Sequence, residues 1–293
     1  MAESARPAWV DDDLFPFKSR FADIDGHTVH YVDEGSGPTL LLLHGNPTWS
    51  FLWRDVIRAL REDFRCVALD YPGFGLSTAK PGYRYLPEEH ADVVTGFVDA
   101  LGLSGATLVG QDWGGPIGLA AAQRRPGVFE RLVLVNTWAW PVNGDPYFEA
   151  FGLLGGGPPI RFLARRLNLV VKAFLPMGHR KRKLTAAEMT HYRRAMDTPE
   201  RRQASGVLPG RILGSRAFFA EVEAGLPALA ELPTLIVWGN AQIGFRARER
   251  ERLEATFPHH QTVALDGVGL YVESDAPEEF VAAIRDWSAT QTQ

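Results

Sequence analysis

Asp112 is the residue of this chain with the best setting for chemistry. It is the centre of the sequence Gly-Gln-Asp-Trp-Gly at residues 110–114, between an apolar run and a helical pattern. The pattern Gly-x-nucleophile-x-Gly forms a strained strand-to-helix turn that points its central side chain into a site. The start of the helix favours an anion, so we predict an ionised carboxylate that acts as a nucleophile. The alternative is that Asp112 only caps the helix, because Asp is a favoured N-cap residue.

A second polar loop follows the leucine run at residues 40–43. Its sequence, His-Gly-Asn-Pro-Thr-Trp-Ser at residues 44–50, has the turn chemistry that exposes backbone N–H groups near a developing charge. The amide of Asn46 and the indole N–H of Trp113 are neutral donors. Together they suit a poorly hydrated anion such as a halide. We interpret His44 as a side chain that braces this loop.

The elements that must position these residues alternate between strands and helices. Helical patterns cover residues 87–101 and 115–123. The later strand candidates are continuous apolar stretches, which are typical of parallel strands covered on both faces. The alternation predicts an α/β fold with a mostly parallel, doubly wound sheet. The predicted strands are residues 28–32, 39–43, 66–69, 106–109, 132–135, 235–237 and 262–265.

An inserted helical cap interrupts this alternation. The pattern is helical from residue 139 to residue 213, so we predict a core domain of residues 1–138 and 214–293 and a cap of residues 139–213. Residues 142–213 contain thirteen Lys and Arg against five Asp and Glu, an excess of eight positive charges. We interpret these charges as solvated helix faces. Candidate apolar walls for a substrate cavity are Phe148, Phe151, Phe162, Phe174, Leu208 and Ile212.

Composition limits the class of protein. The chain has 293 residues, 45% of them hydrophobic, which is enough for a large core. Its net charge of −4 argues against nucleic-acid binding. The single cysteine, Cys66, allows no disulfide within the chain and is predicted to be a buried thiol. We expect no secretory signal peptide in residues 1–20, no membrane span and a cytoplasmic location. We also expect no metal and no cofactor.

With these residues in view, the chain resembles the haloalkane dehalogenase family of α/β-hydrolases nearly from end to end. The resemblance rests on the two loops above and on four further segments. It implies that Asp112 displaces halide from a small apolar haloalkane to form an alkyl ester, while Asn46 and Trp113 hold the leaving halide. Epoxide hydrolases share the Asp nucleophile and the cap, with Tyr147 and Tyr192 as candidate proton donors here, but Asn46 favours the dehalogenase. The four segments are residues 70–77, 136–141, 237–239 and 275–279.

Two positions depart from the pattern of the family. The family places its base histidine in a Gly-His-aromatic turn after the last strand, and the corresponding Gly269-Leu270-Tyr271 has a leucine there. Its supporting acid follows Trp-Gly by three residues, and that place is occupied by Gln242. Some members carry the acid after the preceding strand, but residues 136–141 contain no carboxylate. The base and the acid are therefore both replaced, as natural loss or deliberate engineering would equally produce.

The surviving residues predict half of a hydrolytic cycle. A carboxylate can displace halide without a histidine, but hydrolysis of the ester needs a base to deprotonate water. Three alternatives stay open. The first is alkylation of Asp112 without turnover. In the second, Leu270 and Gln242 form an apolar wall that desolvates Asp112 and raises its pKa, so that Asp112 acts as a general base on a carbon acid and Gln242 donates to the developing anion. The third is a binder of small ligands without chemistry. Nearby Glu273 is interpreted as a solvated surface residue.

Overall fold

A computed structural model describes residues 6–156, 162 and 165–291, with only the backbone at 151 and 153–156. Eight strands form one sheet in the order β1-β2-β4-β3-β5-β6-β7-β8. β1 and β2 form an antiparallel hairpin at one edge, β2 pairs antiparallel with β4, and the remaining neighbours are parallel. The strands are β1 Arg20–Ile24, β2 His27–Glu34, β3 Thr39–Leu43, β4 Arg65–Leu69, β5 Ala106–Gln111, β6 Phe129–Val135, β7 Thr234–Gly239 and β8 His260–Leu265.

The predicted strands are all present, and most are one to three residues longer than their apolar runs. The sequence interpretation missed β1, whose residues are only partly buried and alternate irregularly. β5 is buried at every position, because helices cover both faces of the sheet. Cys66 is buried in β4, as predicted, and burial raises its thiol pKa to about 12.

The helices cover the two faces of the sheet and form the insertion after β6. Within the described residues they are α1 Arg54–Leu60, α2 Pro87–Ala100, α3 Gly114–Arg124, α4 Pro146–Gly156, α5 Leu175–Met177, α6 Ala186–Ala195, α7 Gln203–Gly214, α8 Arg216–Gly225, α9 Ala247–Thr256, α10 Val272–Asp275 and α11 Pro277–Thr290. Short 3₁₀ turns lie at Ser50–Trp53 and Leu226–Ala228, and a π-helical turn lies at Val170–Phe174. No described helix has the length and apolar character needed to cross a bilayer.

The inserted helices between β6 and β7 follow the predicted cap, whose exact boundaries stay a prediction. Of the candidate cavity walls, Phe148, Leu208 and Ile212 are buried. Phe162 and Phe174 are 59% and 46% exposed, so the expectation that they line an enclosed cavity is wrong. The side chain of Phe151 lies outside the described residues.

Candidate active site

The turn that carries Asp112 joins β5 to α3 and is too crowded for larger neighbours. Asp112 has φ of +50°, a conformation that non-glycine residues rarely adopt. A β-carbon on Gly114 would lie 2.2 Å from the carbonyl oxygen of Leu43, and one on Gly115 would lie 1.9 Å from Oγ1 of Thr137. Glycine is therefore required at both places. This packing fixes the carboxylate at the carboxyl end of the sheet, where α/β sites form.

The environment of Asp112 raises the pKa of its carboxyl group to about 7. The main cause is burial, because a charged carboxylate is costly to remove from water. Hydrogen bonds from the backbone N–H groups of Asn46 and Trp113 favour the ionised form and oppose this effect. The distance from Asn46 N to Asp112 Oδ2 is 3.0 Å. Burial outweighs these donors, so the pKa of Asp112 is raised as in the second alternative above, rather than lowered by the start of the helix.

The two predicted halide donors both lie beside the nucleophile. Asn46 contacts Asp112 through its backbone, while its side-chain Nδ2 donates to the carbonyl of Ser205 in α7 over 3.3 Å. Its Oδ1 is buried and has no hydrogen-bond partner among the described residues. The ring of Trp113 is buried against Trp138 and Phe219, with ring centroids 5.0 and 5.7 Å away. The side-chain amide of Asn46 thus links the loop after β3, residues 44–50, to the cap.

Leu270 and Gln242 lie together, close to the turn that carries Asp112. A β-carbon on Gly244 would lie 3.5 Å from Cδ1 of Leu270 and 3.2 Å from Oε1 of Gln242. The same Gln242 oxygen accepts hydrogen bonds from Gly244 N at 3.0 Å and Phe245 N at 2.7 Å. The side chain of Gln242 therefore closes the turn of residues 242–245. The apolar side chain of Leu270 lies against this turn.

Two amides that the sequence analysis did not single out hold the backbone of Leu270. Asn136, directly after β6, donates from Nδ2 to the carbonyl oxygens of Gly269 at 3.1 Å and Leu270 at 2.8 Å. Gln111, next to the nucleophile, donates to the same Leu270 oxygen over 3.4 Å. Asn136 has φ of +37°, and its Oδ1 accepts from Gly239 N at 3.1 Å. One feature of the sequence indicated this role: Asn136 directly follows a central parallel strand, where site residues of α/β folds lie.

His44 is the histidine that the sequence places nearest to Asp112, and it is committed to the backbone. Its Nδ1 lies 2.9 Å from the carbonyl oxygen of Gly45, and its Nε2 accepts from Tyr71 N at 3.2 Å. Burial lowers its pKa to about 4. These contacts agree with the interpretation of His44 as a loop brace.

The other histidines are engaged elsewhere. His30 forms a buried pair with Asp70, its Nδ1 2.8 Å from Oδ2, and His179 lies between Leu175 and Ser274. His191 of the cap lies between the carbonyl of Ala187 and the N–H of Asp11. The remaining four hydrogen-bond to groups outside the turn that carries Asp112: His27, His90, His259 and His260.

The two tyrosines weighed as proton donors have different settings. The hydroxyl of Tyr147 donates to the carbonyl of Ile243 at the surface. Tyr192 is fully buried, and its hydroxyl has no partner among the described residues. Burial raises the pKa of both Tyr71 and Tyr271, and the charge of Asp112 contributes to the same shift.

Glu273 is a buried carboxylic acid, so its interpretation as a solvated surface residue is wrong. Its exposure is 0%, and neither carboxyl oxygen has a hydrogen-bond partner among the described residues. Burial is the main reason that its pKa is raised to about 8, and the charges of Asp112 and Asp275 contribute to this value. The short α10 turns this side chain inward. The Val-Glu-Ser-Asp sequence contained no signal of this orientation, because a four-residue helix has too few positions for a periodic pattern.

We predict that Glu273→Gln stabilises the protein at neutral and alkaline pH. The folded-state pKa is raised from 4.5 to about 8, so the wild type loses stability as pH rises from about 4.5 to about 8. A glutamine carries no charge to desolvate. At about 1.4 kcal/mol per pKa unit, the gain at pH 7 is about 3 kcal/mol in the free energy of unfolding, and it disappears below pH 4.5.

Urea unfolding at pH 4, 7 and 9 measures this difference. Glu278→Gln is the matched control, because Glu278 is exposed at the start of α11. A stability gain that is the same at pH 4 and pH 9 would contradict the explanation by desolvation.

Comparison with known proteins identifies the family to which this site belongs. Residues 38–272 match the family model described as alpha/beta hydrolase fold. The chain is 44% identical to haloalkane dehalogenase 2 of Mycobacterium tuberculosis, over 94% of this chain and 96% of that protein. It is 30% identical to the cis-3-alkyl-4-alkyloxetan-2-one decarboxylase of Shewanella oneidensis, over 96% and 91% of the two chains.

A solved structure agrees with this assignment. Haloalkane dehalogenase DbeA from Bradyrhizobium elkani superposes with a TM-score of 0.84 at 27% identity, over 94% of this chain and 98% of that one. The mostly parallel eight-stranded sheet and the inserted helices fit this comparison. The chain is a member of the haloalkane dehalogenase family, with the α/β-hydrolase fold.

Proposed function

We propose that this protein takes an alkyl group from a haloalkane onto Asp112 and retains it as an ester. The carboxylate attacks the carbon that bears the halogen, the carbon–halogen bond breaks, and the halide leaves beside Trp113 and the amide of Asn46. Halide release requires the hydrogen bond between Asn46 Nδ2 and Ser205 to open. At 3.3 Å between neutral groups this hydrogen bond is weak, so a charged acceptor can replace it.

The observation that carries this proposal is the surroundings of Leu270. Position 270 is held by Asn136 and Gln111 next to the turn of residues 110–114, the elbow, and the resemblance to the family assigns the base to this position. Its aliphatic side chain cannot accept a proton. All eight histidines lie within the described residues, and each has a hydrogen-bond partner other than Asp112. No histidine is therefore offered to water at the ester, and we propose that the second half of the cycle is slow.

The raised pKa of Asp112 favours a second candidate function. A carboxylate with a pKa of about 7 in a dry site is a better proton acceptor than an exposed aspartate. With Leu270 as an apolar wall and the amides of Asn136 and Gln242 nearby, Asp112 would serve as a general base on an activated carbon acid. Binding of small ligands without chemistry remains the third alternative, in which Asp112 would only shape the cavity.

For the first candidate we predict one alkyl group per protein molecule. Incubation with excess 1-bromohexane should add the mass of one hexyl group and release one equivalent of bromide, and Asp112→Asn should do neither. The labelling rate should rise with pH and level off above about pH 7, because only the ionised carboxylate attacks. Intact mass spectrometry and bromide release measure both quantities. Many bromide equivalents per protein, or an unchanged mass, would contradict the proposal.

We further predict that Leu270→His together with Gln242→Asp restores multiple turnovers. The pair supplies a base and a carboxylate that orients it, and general-base catalysis contributes about 10² to 10⁴ in rate. Bromide should then exceed ten equivalents per protein, and the ester should no longer accumulate. Leu270→Asn is the matched control, because it adds a polar group that is not basic. Equal bromide yields in the double variant and the control would show that these positions do not limit hydrolysis.

The second candidate predicts proton abstraction that depends on Asp112. The rate of ring opening of 5-nitrobenzisoxazole should rise with pH to a plateau above about pH 7, and Asp112→Asn should lower it by at least tenfold. The absorbance of the phenolate product follows the reaction. Equal rates in the two proteins would rule out Asp112 as the base, and ligand affinity unchanged in Asp112→Ala would then favour a binding protein.

A further inference from the structure

The carboxylate of Asp275 joins two segments that are distant in sequence. It accepts hydrogen bonds from four backbone N–H groups, those of Gly269, Arg180, Lys181 and Arg182, over 2.7 to 3.0 Å. The last three belong to residues 178–182, a stretch of the insertion that we call the strap. The first belongs to the 269–271 loop, which contains Leu270. Asp275 is 2% exposed, and these four donors outweigh its burial and keep its pKa below the usual value.

The strap is also packed directly onto the loop. Leu270 N donates to the carbonyl of Gly178 at 2.8 Å. A β-carbon on Gly178 would lie 2.4 Å from the ring of Tyr271, and one on Gly269 would lie 2.0 Å from the carbonyl oxygen of Gly178. The ring of His179 stacks on Tyr271 with 5.2 Å between ring centroids. The strap and the loop therefore cannot shift independently of each other while Asp275 holds both.

From the loop, one further hydrogen bond leads to the nucleophile. The hydroxyl of Tyr271 donates to the carbonyl oxygen of Asn46 over 3.2 Å. The N–H of the same Asn46 donates to Asp112 Oδ2 over 3.0 Å. The path runs from the strap through Asp275 and Tyr271 to the backbone group that binds the nucleophilic carboxylate. The bond from Gly269 to Asp275 is buried, and the other steps are part-buried.

We propose that Asp275 is a positioning residue that sets the place of the Asn46 N–H against Asp112 by fixing the 269–271 loop to the strap. It touches neither the nucleophile nor a substrate. A local capping role does not account for its contacts, because Asp275 is the last residue of α10, and α11 is preceded by Ala276. The inference uses the proposed function only for the role of Asp112 as nucleophile.

A carboxylate is required for this arrangement. Its two oxygens offer about four acceptor sites, whereas the amide of an asparagine has one acceptor oxygen and a group that only donates. Asp275→Asn leaves N–H groups of the strap or the loop without an acceptor. The loop then relaxes, and the contact between Asn46 N and Asp112 weakens.

The pKa of Asp112 reports this change with a diagnostic sign. Asp112 is surrounded by Tyr71, Tyr271 and Glu273, whose ionisation is coupled to its charge. Removing the negative charge of Asp275 without any movement would lower the pKa of Asp112, because a like charge disappears. Weakening the hydrogen bond from Asn46 would raise it. A purely electrostatic effect would therefore lower the pKa of Asp112, whereas a change in the position of the Asn46 N–H would raise it.

The experiment is a carboxyl ¹³C NMR titration of the full-length protein labelled at aspartate, with Asp112→Asn to assign the signal. We expect Asp275→Asn to raise the pKa of Asp112 by about one unit, the size that a hydrogen bond to a charged group supports. Asp266→Asn is the matched control: Asp266 is exposed and its carboxylate contacts Asn240, so no shift is expected. An unchanged or lowered pKa in folded Asp275→Asn would overturn the proposal.

A second variant keeps the test decisive if Asp275→Asn fails to fold. Tyr271→Phe removes only the hydroxyl that contacts Asn46 and leaves the Asp275 carboxylate intact. It should raise the pKa of Asp112 in the same direction, and no change in this variant would also overturn the proposal. The titration uses no haloalkane. Its outcome is therefore separate from that of the labelling experiment, and failure of either proposal can be recognised by itself.

Discussion

The removal of the Asp112 carboxylate from water is the constraint on which the rest of this site depends. The elbow can hold an aspartate at φ of +50° only because glycines let the start of α3 pack against β3 and Thr137. That packing excludes water and leaves two backbone N–H groups to stabilise the anion. With two backbone donors and an exposure of only 8%, the carboxyl group has a pKa raised to about 7. In the proposed function, this poorly solvated carboxylate is the group that attacks the carbon–halogen bond.

The buried carboxyl groups of the chain divide according to the donors around them. Glu188 lies against Arg54 and Arg182, and these partners lower its pKa to about 2. Asp275 has its four backbone donors, and its pKa is lowered as well. Neither carboxyl oxygen of Glu273 has a hydrogen-bond partner among the described residues, and its pKa is raised because its own backbone N–H opposes the effect of burial only in part. The first two anchor the cap to the core, whereas Asp112 and Glu273 carry a desolvation cost that packing must offset.

Around position 270, the side chains that hold the backbone are neutral. Asn136 and Gln111 donate to the carbonyl of Leu270, and Gln242 accepts from the backbone of its own turn. The backbone of position 270 is thus fixed, although its side chain is aliphatic. In the proposed function, the groups that form the ester belong to the Asp112 turn and to the loop of residues 44–50, whereas hydrolysis would depend on position 270. The proposal therefore assigns formation and hydrolysis of the ester to different elements.

The sequence by itself determined the sheet, the elbow and the two departures from the family. Continuous apolar strands and the Gly-x-Asp-x-Gly turn are formed by residues close together in the chain, so they can be recognised in the sequence. Only the tertiary structure decided the ionisation of Asp112 and the burial of Glu273, because desolvation depends on atoms contributed by distant segments. The same holds for Asp275, because three of its four donors lie more than ninety residues earlier in the chain. Every residue except proline has a backbone N–H, so the sequence does not show which of these groups will bind a carboxylate. That is decided only when the chain folds.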